Sequence, residues 1–330
     1  MMSYPDFKYK QVIFLFTENK EQLGFRADNI VVFDSAGKVR QQHSCHRIFA
    51  LFIVGNISIT SVVLEKSKRF GFPIILFSRN LRVNTVFNSL AEGNTLLRKK
   101  QYGSGMRSME IAKRLVEQKI NGQIALLKQL RYRAHDDDLA ISVLTELRPL
   151  NAVSAPELLG MEGVAGKTFF RAYFRNMGWT RREPRTKRDV NNLLLDMGYT
   201  YLFNFIEAML ALYGFDVYCG VYHTFFYQRK SLVCDLMEPF RCIVDRRLRK
   251  AWSLRQIDND DFHGGKGRFW LAYAKQAKYT KLFMKDILAY RRVIFIYMQS
   301  YYRWFVRDKP IEAFPIFSIA DGGDSVNCNV

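Results

Sequence analysis

Hydrophobic residues recur with two different periods along this chain, and the change from one to the other near residue 90 constrains the fold more than any other feature. From Gln11 to about Asn88 the apolar segments are short, β-branched and aromatic: VIFLF (12–16), NIVVFD (29–34), IFALFIV (48–54) and PIILF (73–77). Turn residues such as Asn19, Gly24, Gly37 and Gly55 alternate with them, which is the pattern of strands bounded by turns. Ser58 to Phe70 departs from it. There Val62, Val63 and Leu64 are followed by Glu65, Lys66, Lys68 and Arg69 and closed by Gly71, so one helix is expected between strands. Residues 1–90 therefore read as a small β-rich domain.

Beyond the polar segment Ser89–Asn94 the 3.6-residue period dominates, and residues 91–105 read as a linker. Met106 to Arg133 predicts a long helix despite Asn121-Gly122. Asp137 to Leu147 predicts a second, stopped by Pro149. Ser154-Ala-Pro-Glu157 has the form of a capping box and opens a third that runs toward Asn176. Asp189 is expected to cap a fourth that runs through Leu212. Leu232 to Lys250 and the aromatic-rich stretch Tyr279 to Phe305 complete a larger, nearly all-α domain over 106–330. The fold class is α+β. From Ala320 the chain carries DGGD and no apolar anchor, so a mobile tail is expected.

With 330 residues and 48% apolar content, each domain can bury a core. The 50 Lys and Arg against 31 Asp and Glu leave a formal charge of +19, which points to a polyanion as partner, nucleic acid first. Five scattered cysteines with no C-x-x-C pair suggest neither a disulfide framework nor a zinc ribbon. Met1 to Lys10 lacks the apolar stretch of a signal peptide, and the longest apolar run, Ile48 to Val54, is too short to span a bilayer. A cytoplasmic protein that does not meet the membrane is expected.

Three places could carry chemistry. His223 sits in Gly220-Val-Tyr-His223, where a glycine lets the chain turn sharply and present an imidazole from a loop; a single histidine satisfied by a local hydrogen bond would look the same. Asp235 and Glu238 are three apart, on one face of a helix whose neighbours Leu232, Val233, Leu236, Met237 and Phe240 are apolar. Two acids pressed toward a core repel and lose solvation unless a metal or an arginine neutralises them, although a solvated helix start is the alternative. Pro239, lacking an N–H, favours placing the pair in a first helical turn. Glu162 lies between Gly160 and Gly163 in an otherwise apolar helix. Each glycine there costs about 1 kcal/mol relative to alanine, which suggests close approach of a phosphate or metal, or a glycine-containing packing face. Gly166-Lys167-Thr168 is not a phosphate-binding loop, because the signature needs a glycine where Met161 stands and no strand leads into it.

Downstream of Glu162 the chain becomes basic. Lys167, Arg171, Arg175, Arg181, Arg182, Arg185, Lys187 and Arg188 are accompanied by a single acid, Glu183, and interleaved with Phe169, Phe170, Tyr173, Phe174 and Trp179. Guanidinium forks suit phosphates and aromatic faces suit unpaired bases, so this segment is a DNA-binding candidate; a solvated charged loop is the alternative.

Together GMEGVAGKTFFRAYF (160–174), GVYH (220–223) and LVCDLMEPFR (232–241) resemble, in order and separation, the CRISPR adaptation integrase ("Cas one") family. GNISIT (55–60), LRKKQY (97–102), the Trp179 loop leading into DVNNLL (189–194), and DDF (260–262) extend the resemblance over nearly the whole chain. The resemblance implies a β-rich N-terminal dimerisation domain, a homodimer, a helical catalytic domain, and a small "Cas two" partner that bridges two dimers. The family's metal ligands fall on Glu162, His223 and Glu238, with Asp235 an acid of supporting role. Two carboxylates and an imidazole suit magnesium or manganese, which would polarise a scissile phosphate. The expected activity is joining the 3′-hydroxyl ends of short protospacer DNA to the repeat of a CRISPR array, or cleavage when water is the nucleophile. A repair or transposon-type nuclease on the same fold and a non-catalytic DNA-binding scaffold are the rival readings.

Overall fold

The computed structural model describes residues 2–17, 21–79, 83–87, 94–103, 108–178, 181–223, 227–265 and 267–319. Trp179, Met106, Ser89 to Gly93 and the tail from Ala320 lie outside them. The chain divides into two units, Met1–Thr95 with Ala208–Phe215, and Leu96–Glu207 with Asp216–Val330.

In the first unit a short helix α1 (Tyr4–Lys8) precedes β1 (Gln11–Thr17), β2 (Gln22–Arg26), β3 (Asn29–Phe33), β4 (Val39–Ser44), β5 (Ile48–Gly55) and β6 (Ser58–Ile59). Helix α2 (Ser61–Phe70) then leads to β7 (Ile74–Phe77) and β8 (Val83–Phe87). Two sheets form, ordered β1-β5-β7-β8 and β4-β3-β2-β6. The run IFALFIV becomes β5, parallel to both β1 and β7 and buried along nearly its whole length, as a strand covered on both faces must be apolar throughout. Ile13, Leu15, Ile30, Val32, Leu51, Ile53 and Val63 from both sheets and α2 share one core. Gly71, at φ 72°, ends α2 where the sequence placed its close. Strands β2, β4, β6 and β8 were not expected from the sequence: β4 is mostly polar, the apolar residues of β2 and β8 are interrupted by Gly24 and by Asn84-Thr85, and β6 takes the first two residues of the stretch expected to be helix, which begins only at Ser61.

In the second unit α3 (Thr95–Gly103) comes first, its opening residue belonging to the other unit, and α4 (Ser108–Lys128), α5 (His135–Glu146) and α6 (Ala155–Tyr173) follow and pack on one another. Ser154 accepts the Glu157 N–H and opens α6 as the sequence indicates. Asp189 accepts the N–H of Asn192 at 2.7 Å and so caps α7 (Val190–Ala211). Asn121-Gly122 does not interrupt α4: a Cβ at Gly122 would meet Cys242 Sγ at 3.2 Å, so the glycine is where another helix comes close.

Three expectations are corrected. Leu232 to Lys250 is two helices, α8 (Ser231–Met237) and α9 (Arg241–Ser253), joined by a 3-10 turn over Glu238–Phe240. Pro239 supplies no N–H to continue α8, so Asp235 lies within α8 and not in a first turn, while Glu238 begins the next turn. Tyr279 to Phe305 likewise falls on two helices, α10 (Tyr273–Ala289) and α11 (Arg291–Val306), which meet at Tyr290. The unit also contains a hairpin, β9 (Phe262–Gly265) paired with β10 (Arg268–Leu271), in place of uninterrupted helix. No helix among the described residues is long and apolar enough to cross a membrane.

Candidate metal and nucleic-acid site

The site is built around one lysine that α4 carries into the interior. At helical spacing Leu115, Lys119, Gly122 and Leu126 follow one stripe, so Lys119 points inward with the apolar residues. Its ammonium lies 2.5 Å from Glu162 Oε1 on α6 and 2.7 Å from Glu238 Oε2 at the α8–α9 break. Glu238 Oε1 is 2.9 Å from the Arg241 guanidinium, and Glu162 Oε2 accepts the Tyr222 O–H at 2.6 Å. Two carboxylates are thus balanced by two cations in a place nearly closed to water. Burial alone would lower the Lys119 ammonium, but the Glu238 and Glu162 carboxylates raise it above its ordinary value. For Glu238, burial pushes the carboxyl up and Arg241 and Lys119 outweigh it, so the net direction is down. Burial and the hydrogen bond to Glu162 raise the Tyr222 phenol.

His223 is held from the other side. Asp235, completely buried, accepts the backbone N–H groups of Val221 and Tyr222 on Oδ2 at 2.7 and 3.0 Å, and that of His223 on Oδ1 at 3.0 Å. The His223 ring nitrogen Nδ1 is 2.5 Å from the same Oδ1. Three N–H groups already donate into this carboxylate, so it is the acceptor and Nδ1 the donor, which leaves the lone pair of a neutral imidazole on Nε2. Gly220 makes the turn feasible: a Cβ there would stand 2.5 Å from Ser231 Cβ and 2.9 Å from Asp235 Oδ2.

The structure therefore gathers Glu162 and Glu238 on one ammonium and ties His223 to Asp235. Among the described residues it forms no set of three His, Cys, Asp or Glu side chains arranged to hold a metal. The donor chemistry nevertheless fits a divalent ion, since the Glu162 and Glu238 carboxylates share a cation and the Asp235 contact at Nδ1 leaves Nε2 as the ring nitrogen that a neutral imidazole would offer a metal.

A family model described as CRISPR associated protein Cas1 matches residues 14–285. The chain belongs to the Cas1 family. CRISPR-associated endonuclease Cas1 1 of Thermodesulfovibrio yellowstonii is 28% identical over 309 residues, 89% of this chain and 97% of its own length. An Archaeoglobus fulgidus relative of the same description is 26% identical over 263 residues, 71% of this chain and 76% of its own. Among solved structures, a Cas1 protein from Thermotoga maritima matches with a TM-score of 0.77 at 19% identity, over 90% of this chain and 97% of that one. A casposase bound to integration product matches at 0.74 and 18% identity, over 91% of each chain. At such identities these two speak for the fold. The three motifs that carried the resemblance are thus those of a Cas1 chain, with its strand-rich first part and helical second part.

Lys119, Tyr222 and Arg241 were not singled out from the sequence. Tyr222 and Arg241 stand inside the GVYH and LVCDLMEPFR motifs, but only the fold aims them at Glu162 and Glu238. Lys119 had a readable signal, a lysine on an otherwise buried helical stripe. Gly160 and Gly163 are exposed, and an added Cβ at either meets nothing within 4 Å among the described residues, so packing against those residues does not account for them.

The basic segment splits into two groups. Lys167 and Arg171 are exposed on α6 and, with Leu139, Val143 and Val164, line a groove of about 520 Å³. Arg175 is paired with the buried Asp137 at 2.7 Å, and Arg182 bonds Asn192 at 2.9 Å and Asp196 at 2.6 Å, so both brace the fold. Arg181 and Arg188 share Glu183. The Arg185 N–H donates to Asp196 at 2.9 Å, and the Lys187 carbonyl accepts the Phe269 N–H at 2.8 Å, so this loop is fixed at both ends of its turn. The aromatic part of the expectation is corrected: Phe169, Tyr173 and Phe174 are buried together, the first two stacked and Phe174 edge-on to both; the 3.6-residue period turns Phe169 and Tyr173 away from Lys167 and Arg171, and Phe174 lies just past the helix end, at φ -110°.

Next to this site Asp245 is buried on α9 and accepts the Tyr199 O–H at 2.5 Å. Burial pushes its carboxyl from 3.8 up to about 7. The folded protein thus keeps a proton that the unfolded chain has released, and this group makes stability fall as pH rises from about 4 to about 7. Asp245→Asn retains the acceptor for Tyr199 and removes the titration. Thermal unfolding followed at pH 5 and pH 8 should show the variant gaining on the parent chain by about 1.4 kcal/mol for each pH unit crossed within that window. Parallel stability curves would mean that the carboxyl is ionised throughout.

Proposed function

We propose that this chain is a metal-dependent DNA integrase and endonuclease of CRISPR adaptation, which joins the 3′-hydroxyl ends of short protospacer DNA to the repeat of a CRISPR array. The observation that carries the reading is the convergence of Glu162, on α6, and Glu238, at the α8–α9 break, on a single ammonium, together with a His223 imidazole oriented by the buried Asp235 carboxylate. Glu162, Glu238 and His223 Nε2 would hold magnesium or manganese, and the ion would polarise the scissile phosphate. The chain's own residues do the rest. Asp235 fixes the tautomer and direction of His223, Tyr222 and Arg241 fix the outer oxygens of the two glutamates, and the exposed Lys167 and Arg171 suit a DNA phosphate backbone. In transesterification one phosphodiester forms as another breaks. The attacking 3′-oxygen loses its proton and the leaving 3′-oxygen gains one, so no energy source is needed; with water as nucleophile the same site cleaves.

Solved relatives described as a Cas6-RT-Cas1–Cas2 complex and a Cas1–DNA complex support DNA and a small Cas2-type protein as partners, and a homodimer through the strand-rich unit is part of the reading. It places the protein in the cytoplasm with the array. The casposase likeness supports the transposon-type alternative, which would act without an array.

The test supplies the protein with manganese, a labelled short duplex bearing 3′-hydroxyl ends and supercoiled plasmid with or without a repeat array. Label is expected to enter the array plasmid, and to be lost with EDTA, with Glu162→Ala and with His223→Ala, by at least about 100-fold. Equal labelling of both plasmids favours the transposon-type reading. No labelling and no cleavage, even with the Cas2-type partner added, leaves a DNA-binding scaffold.

A further inference from the structure

Each of the two glutamates has one oxygen fixed by a neighbour and one shared. Arg241 takes Glu238 Oε1 and the Tyr222 hydroxyl takes Glu162 Oε2, while the remaining oxygens meet on the Lys119 ammonium. Lys119 is 14% exposed, Glu162 13% and Glu238 2%, so this bridge is formed largely away from water, where an unpartnered charge of either sign would be costly. We infer that Lys119 is a built-in counter-ion: its ammonium holds the two carboxylates together in the metal-free protein and competes with the divalent ion for both of them. This inference rests on the metal-dependent reading above.

The charges explain why competition follows. Glu162 and Glu238 are balanced by Lys119 and Arg241, so a divalent ion that adds to the intact bridge brings two positive charges to four side chains whose charges already sum to zero. Entry of the ion becomes favourable when the ammonium leaves the carboxylates. The Lys119 side chain is long and flexible, and Arg241 stays behind because it holds the far oxygen of Glu238 and lies over the Tyr199 ring at 4.8 Å. A displaced ammonium needs another anion, and a DNA phosphate supplies one. Metal and DNA should therefore strengthen each other's binding through this lysine, by the same factor in each direction. The protein would then hold its metal weakly until DNA arrives, which limits stray cleavage.

The experiment measures Mn(II) affinity from the free-ion spin-resonance signal, for the parent chain, Lys119→Met and Glu162→Gln. Each is titrated with and without a short duplex whose 3′ ends lack the hydroxyl, so that nothing reacts. Lys119→Met is expected to bind Mn(II) roughly tenfold tighter or more without DNA, and to lose the further tightening that DNA gives the parent chain. Affinity in Lys119→Met no higher than in the parent chain, or unchanged coupling to DNA, overturns the inference. Equal Mn(II) binding by the parent chain and Glu162→Gln would instead sink the metal reading itself. Should Lys119→Met fail to fold without metal, the double variant Lys119→Met/Glu162→Gln decides. Removing one charge of each sign should restore metal-free folding, and failure to do so overturns the counter-ion role.

Discussion

Arg241→Met should lower the stability of the metal-free protein by about 3–5 kcal/mol, the typical effect of removing one partner from a buried ion pair. Arg241 lies 2.9 Å from Glu238 Oε1, and the Glu238 side chain is 2% exposed. Without the guanidinium, Glu238 keeps only Lys119, which it shares with Glu162, and two carboxylates face a single cation. Their repulsion is little screened by water. The packing of the guanidinium over Tyr199 is lost as well, although methionine refills part of that volume. Urea unfolding near neutral pH in EDTA measures the effect. The companion Arg241→Met/Glu238→Gln should recover much of the loss, because it removes the charge left without a partner. A single variant as stable as the parent chain would show that Glu238 tolerates burial without Arg241.

Asp235→Asn is expected to reduce strand transfer and cleavage by about 10–100-fold, the usual cost of removing the residue that orients a metal-ligating histidine. Asp235 accepts from three consecutive backbone N–H groups and from His223 Nδ1. An amide has one accepting oxygen and one donating NH2, so whichever way it is turned, at least one N–H of the 221–223 turn faces a donor. Each hydrogen bond to a charged acceptor contributes about 1.5–3 kcal/mol, so the loop that presents His223 should loosen. Weaker Mn(II) binding with unchanged far-ultraviolet dichroism would separate this positioning effect from general unfolding. Full activity in Asp235→Asn would mean that His223 needs no such support.

Much of the architecture is legible in the amino-acid sequence alone. The IFALFIV run reads as a strand from its short, β-branched and aromatic make-up between turn residues, and the structure buries it along nearly its whole length. Ser154 and Asp189 announced the starts of α6 and α7 through the chemistry of their caps. The order of Glu162, the GVYH turn and the Asp235–Glu238 pair identified the family and the residues for which a metal is proposed. The failures have equally definite causes. Pro239 lies between two helices because it ends one ladder of hydrogen bonds while its fixed φ starts the next turn, and the sequence allows either position. Arg175 and Arg182 look like any other member of a basic run until Asp137 and Asp196, 38 and 14 residues away along the chain, are seen to hold them.

The sequence by itself determined the change of hydrophobic period, the family and which acids and histidine are proposed as metal ligands, because each of these depends on neighbours a few residues apart or on motif order. Only the tertiary structure decided which charges answer one another. Lys119 meets Glu162 across 43 residues of chain, and Tyr222 meets it across 60. Pairings of that range follow from how helices pack in three dimensions, and a charge in a helical stripe looks the same in sequence whether its partner is water, a carboxylate or a phosphate.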